Sequence, residues 1–119
     1  MILPLVAQPV TLVRQYAGFI ALVHPFRYRN EIKADIEHLP PDAIEIRSTN
    51  TPASAEKRIR EIAARLNIPT LCDSDAHHTD ALGKYFNELK KIPSDEKELI
   101  ELIRSGKSSY DKKTPGFFF

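Results

Sequence analysis

The sequence predicts an α/β protein built from parallel βα units, and three observations carry that expectation. Apolar runs of strand length alternate with stretches of helical period. Caps and breakers stand where those helices should begin and end. The runs Ile20 to Val23 and Ile68 to Cys72 are each followed closely by a histidine, His24 and His77, which is poor packing material just past a buried strand.

Pro9 to Ala17 reads as a short helix with Gly18 as its stop. Phe19 to Val23 reads as a strand. Asn30 is placed to cap a helix carrying Ile32, Ile36 and Leu39 on one face, ended by Pro40-Pro41. Ala43 to Ile46 is the next strand, and Ser48 to Pro52 a turn-rich loop. Pro52 suits the first turn of a helix whose inner face is Ala55, Ile59, Ile62 and Leu66, with Asn67 at its end. Ile68 to Cys72 follows as a third strand and Lys84 to Leu89 as a fourth. Ser94 or Asp95 caps a last helix with Leu99, Leu102 and Ile103, stopped by Gly106. Strand, helix, strand, helix, strand is the order of parallel crossovers. Residues 1–106 read as one domain and 107–119 as a polar, then aromatic, tail.

At 119 residues, 42% hydrophobic and 28% charged, the composition is that of an ordinary soluble domain. A net charge of +1 gives no reason to expect nucleic acid or a membrane as partner. Cys72, the single cysteine, cannot form an internal disulfide and fits a reducing compartment. No apolar run approaches the roughly 20 residues of a membrane span, and Met1 to Ala7 is too short for a signal peptide, so the expected location is cytoplasmic.

Parallel βα units hold ligands at the carboxyl ends of their strands. His24, the Arg47-Ser48 pair and Asp75-Ala76-His77 all fall there. If the backbone stays extended, Asp75 and His77 share a face by alternation, and His78 points elsewhere. Each residue also has an ordinary structural reading. His24 could simply bond to backbone, Asp75 could cap a turn, and Asp73 could be a buried acceptor. Glu45, between Ile44 and Ile46, either faces a barrel interior or cleft, where it needs a cation or donors, or lies in water on an edge strand. Arg27 has the planar fork that suits phosphate.

The segment Gly18-Phe19-Ile20-Ala21-Leu22-Val23-His24-Pro25-Phe26-Arg27 resembles the glycine-hydrophobic-HPxR segment of the PHP family, the polymerase and histidinol phosphatase domains. Asp42 to Ile46 resembles the strand that follows it there. Ser74-Asp75-Ala76-His77 with Gly83 resembles the family's last signature, SDAH followed by a glycine and an aromatic strand. The order and spacing match over roughly residues 12 to 105. The resemblance implies a distorted (βα)7 TIM-like barrel, of which this chain has the C-terminal half. It implies a cluster of divalent metal ions (zinc, manganese or iron) with His24, Asp75 and His77 as ligands. It also implies phosphoester hydrolysis with Asp75 and His77 as catalytic residues, and Arg27 as a contact to a phosphorylated small molecule or phosphodiester.

Family members open with a His-x-His strand, whereas the first histidine here is His24. Three expectations follow. The chain is a phosphoesterase module incomplete without an N-terminal His-x-His half, or it is a non-catalytic remnant that binds metal or a partner. Leu22 and Leu71 stand open to water on the unclosed sheet. The chain therefore self-associates, as a homodimer, or pairs with the complementary half.

Overall fold

The middle strand of the sheet is the most regular part of the chain. In the computed structural model, which describes residues 7–105, β2 (Ala43–Arg47) lies between β1 (Ala21–Leu22) and β3 (Thr70–Cys72), and both pairings are parallel. Ala21 and Leu22 face Ala43 and Ile44; Ile44 and Glu45 face Thr70 and Leu71. The register then slips between Glu45 and Arg47, so that Arg47 faces Cys72. Such a bulge turns the end of a strand, and it falls here beside the candidate site.

Ile44 and Ile46 share one face of β2 and pack under α2 (Glu56–Leu66) with Ile59, Ala55, Ala63, Phe26 and Cys72. Residues 43–47 thus form a strand buried on both faces, as the centre of a parallel sheet requires. A turn of 3₁₀ helix (Ala53–Ala55) leads into α2, and Asn67 ends it in the left-handed conformation, φ 54°. Among the described residues the sheet is open and has three strands.

Helix α1 (Ala7–Gln15) forms as expected, but its stop differs. Ala17 is the left-handed residue, φ 55°, and Gly18 is needed for proximity. Its N–H bonds to Val13 O at 2.9 Å, and a Cβ there would stand 2.6 Å from Val13 Cγ1. The last helix, α3 (Glu96–Arg104), starts at Asp95, whose carboxylate accepts the Glu98 N–H at 2.8 Å. Gly106, the expected stop, lies outside the described residues, as do Met1 to Val6 and the tail 107–119.

Two expected elements are absent. Residues 30–39 form turns and bends rather than a helix. The Asp35 carboxylate accepts the His38 N–H at 3.2 Å, and the Ile36 N–H turns back to Ala34 O at 2.9 Å. Local side-chain and short-turn bonds have displaced the helical ladder. Ile36 is buried and Ile32 packs on the core all the same. Residues 84–89 are not a strand either. The Asn87 carboxamide accepts from Cys72 N at 2.9 Å and donates to Cys72 O at 2.7 Å, so a side chain covers the edge of β3 there. Leu22 is half-buried against the core and Leu71 half-buried too, rather than open to water. Among the described residues, no helix is long and apolar enough to cross a membrane.

Candidate metal centre

Glu45 faces away from α2, because Ile44 and Ile46 on either side of it face the core. It is 1% exposed, which removes the edge-strand reading. Its Oε1 accepts from the backbone N–H of His24 at 2.9 Å and from Thr51 Oγ1 at 2.9 Å. Asp73, one residue past the end of β3, is hydrogen-bonded to the same carboxylate. One acid therefore joins the ends of β1, β2 and β3.

Two carboxyls this close cannot both carry charge cheaply. Burial, then the hydrogen bond to Glu45, then the Glu45 charge push Asp73 up to about 7, with the negative charge of Asp75 adding to the effect. At lower pH the pair shares a proton. Asp73 is also the acceptor that the sequence allowed for, taking the Asp75 N–H on Oδ1 at 3.2 Å.

That bond helps to form a tight turn. Asp75 has φ 45°, and His24 has φ 29°. Non-glycine residues held at positive φ are uncommon, and they concentrate where a side chain must be aimed. The turn overturns the alternation argument, since β3 ends at Cys72 and the backbone at Asp75 is not extended. Asp75 and His77 still meet: His77 Nε2 lies 3.7 Å from Asp75 Oδ1. The other carboxylate oxygen, Oδ2, accepts from Asn50 Nδ2 at 2.5 Å. Thr49 Oγ1 donates to Ser74 O at 2.8 Å, tying the loop after β2 to the loop after β3. Gly83, in the segment that follows, has φ 71°, which suits glycine.

The remaining candidates lie around this core. His24 and Arg27 line one cleft in the loop after β1, and Arg27 stacks over the Tyr28 ring. Arg47 is held by Glu56 of α2 through Nε at 3.2 Å and Nη2 at 2.9 Å. Ser48 is buried, its Oγ 2.8 Å from Thr51 Oγ1. His78 is exposed and precedes the 3₁₀ turn Thr79–Ala81.

An acid pair, Glu45 buried and Asp73 half-buried, with a carboxylate–imidazole pair beside it has the oxygen-rich, mixed donor chemistry of a divalent-cation site. Among the described residues, however, no three histidine, cysteine, aspartate or glutamate side chains form a group that could hold an ion. The donor types fit a metal; a full ligand set is not formed among the described residues. Asn50 and Thr51 are the residues that sequence reasoning missed. Their only signal was membership of the polar loop after the Glu45 strand.

Residues 53–108 match the family model described as PHP-associated. That stretch spans α2, β3, the Asp75–His77 turn and α3. No curated protein and no solved structure matches the chain.

Proposed function

We propose that the chain supplies the C-terminal part of a PHP-type, metal-dependent phosphoesterase site. The observation that carries this reading is the pairing of buried Glu45 with half-buried Asp73 at the ends of neighbouring parallel strands, adjoining Asp75 and His77 in a stretch that matches the PHP-associated model. His24, Asp75 and His77 would hold a divalent ion (zinc, manganese or iron). A bound ion of this kind polarises a phosphoryl oxygen and lowers the pKa of a coordinated water. The chain's own residues orient the donors. Asn50 fixes one Asp75 oxygen, Glu45 fixes the His24 backbone, and Thr51 holds Glu45. Arg27 would contact the phosphate of a small-molecule ester or phosphodiester.

The open three-stranded sheet would form part of a distorted (βα)7 TIM-like barrel, completed by a His-x-His N-terminal half or by a second copy of the chain. An assembly of this chain with such a half should hydrolyse phosphate esters when a divalent metal is added. Asp75→Ala and His77→Ala should each abolish the activity and leave the far-UV circular dichroism unchanged. Activity that survives both substitutions and a chelator contradicts the metal mechanism.

The lack of a three-donor group among the described residues favours a second reading, a non-catalytic remnant that binds a partner or a single ion. Stoichiometry separates the two. A catalytic cluster takes two or more ions per assembled site; a remnant takes one or none.

A further inference from the structure

A cleft of about 360 Å³ lies between residues 31–37 and one side of α2. None of His24, Asp75 and His77 lines it. Its deeper lining is apolar: Ile36 is buried, and Ile32 and Ile62 are half-buried. Its exposed lining is charged, with Glu31, Asp35, Glu37 and Glu61 against Arg58 and Arg65. Both arginines are engaged within the chain. Arg65 Nη2 lies 2.6 Å from Glu37 Oε1, and Arg58 stands 4.3 Å from the centroid of the Phe26 ring. Four carboxylates against two guanidinium groups leave the rim negative, in a chain whose overall charge is +1.

Residues 107–119, outside the described structure, have the complementary make-up. Lys107, Lys112 and Lys113 stand against one acid, Asp111, and Phe117-Phe118-Phe119 follow. The path is short. Arg104 and Ser105, at the end of α3, line a small cleft with Ala63, Ala64 and Asn67, so the chain passes the last turn of α2 there. Arg65, on that turn, also lines the larger cleft, which runs along α2 to Arg58, a rise of about 10 Å. The stretch from Ser105 to Phe117 reaches up to about 40 Å when extended. We propose that residues 107–119 dock in this cleft, with phenylalanine rings on Ile32 and Ile62 and lysines beside Glu31 and Glu61. Apolar contact supplies the attraction, and the rim charges set the orientation. Docked there, the segment straps the irregular residues 30–39 to α2. Ser109 to Phe119 lie beyond the stretch 53–108 that matches the family model, and the proposal does not depend on the phosphoesterase reading.

The test is NMR of the full chain with labelled isoleucine methyl groups. Ring protons of Phe117, Phe118 or Phe119 should give NOEs to the methyl groups of Ile32 and Ile62. A variant with Phe117→Ser, Phe118→Ser and Phe119→Ser should shift both methyl signals. It should also speed hydrogen exchange at the Ile36 amide, which donates to Ala34 O at 2.9 Å. Signals of Ile44 and Ile46, under α2, should stay in place and so report an intact sheet. Lys112→Glu with Lys113→Glu should weaken the NOEs, and Glu31→Lys with Glu61→Lys added to that variant should restore them. Unmoved Ile32 and Ile62 signals in the serine variant, or no restoration when the charges are exchanged, would overturn the proposal. NOEs that fade on dilution would overturn it too, because they would assign the cleft to the same segment of a second copy.

Discussion

Two aspartate–histidine pairs in this chain have the same groups and different surroundings. Asp35 and His38 sit on an irregular loop, the His38 Nδ1 3.0 Å from both Asp35 oxygens, with the histidine side chain 86% exposed. Asp75 and His77 are further apart, 3.7 Å, yet Asp75 is largely covered and its backbone is bonded to half-buried Asp73, the partner of buried Glu45. The first pair is a solvated local contact of the kind that contributes little. The second is the outer end of a network anchored in the sheet: Asp75 to Asp73, Asp73 to Glu45, Glu45 to His24 and Thr51. Burial and connection to strand ends separate them.

The foundations of the two pairs differ most. Ile59 is fully buried in the layer under β2, so Ile59→Ala should cost about 4 kcal/mol, with a cavity that the sheet cannot close. Ile36, beside Asp35, is buried by a loop that can settle, and Ile36→Ala should cost about 2 kcal/mol. Urea unfolding monitored by circular dichroism measures both. Equal losses would mean that the loop 30–39 is as rigid as the sheet.

The response to pH should have opposite signs at the two places. Asp73 is raised from 3.8 to about 7, so the folded, metal-free chain keeps a proton that the unfolded chain has released. Its contribution to stability is full below about pH 4, falls as the pH rises towards 7, and then stays level. Asp73→Asn should flatten that decline. Asp35 is lowered, chiefly by the His38 backbone N–H and then by the His38 ring, so its contribution is present above pH 3.8 and lost as the pH falls. Asp35→Asn should change only the acid limb of the melting-temperature curve. A decline between pH 4 and 7 that persists in Asp73→Asn would place its origin elsewhere.

A smaller effect is expected from Asn50→Ala. It removes the amide that fixes Asp75 Oδ2, at a cost of about 1 kcal/mol for a half-buried bond to a charged group. At Asp35 the carboxylate is bonded instead to groups next to it in the chain, the ring and N–H of His38 and the N–H of Glu37. Hydrogen exchange at the Asp75 amide should accelerate in Asn50→Ala and remain unchanged in His38→Ala.

How much of this was legible in the sequence depends on whether one side chain or many decide the outcome. β2, α2 and β3 were readable because many apolar residues decide them together, and Ile44, Ile46, Ile59 and Cys72 do share one core. The cap at Asp95 was readable because an N-cap is a local bond. Residues 30–39 have helical spacing, but Asp35 and His38 offer the backbone a competing partner, which periodicity does not see. At the site, strand ends and residue types pointed to His24, Asp75 and His77. The Glu45 bond to the His24 N–H and the Asn50 clamp on Asp75 were not visible, since each spans more than 20 residues.

The central claim is that the strand-end network, rather than aspartate–histidine proximity, makes a cation site. Paramagnetic broadening by substoichiometric Mn²⁺ in an NMR spectrum of the chain tests it directly, with Asp35–His38 as the internal control. The account predicts that signals of Asp73, Asp75, His77 and His24 broaden first, and that Asp35 and His38 stay sharp at the same Mn²⁺ ratio. Equal or stronger broadening at Asp35 and His38, or none at Asp75 and His77, would contradict it.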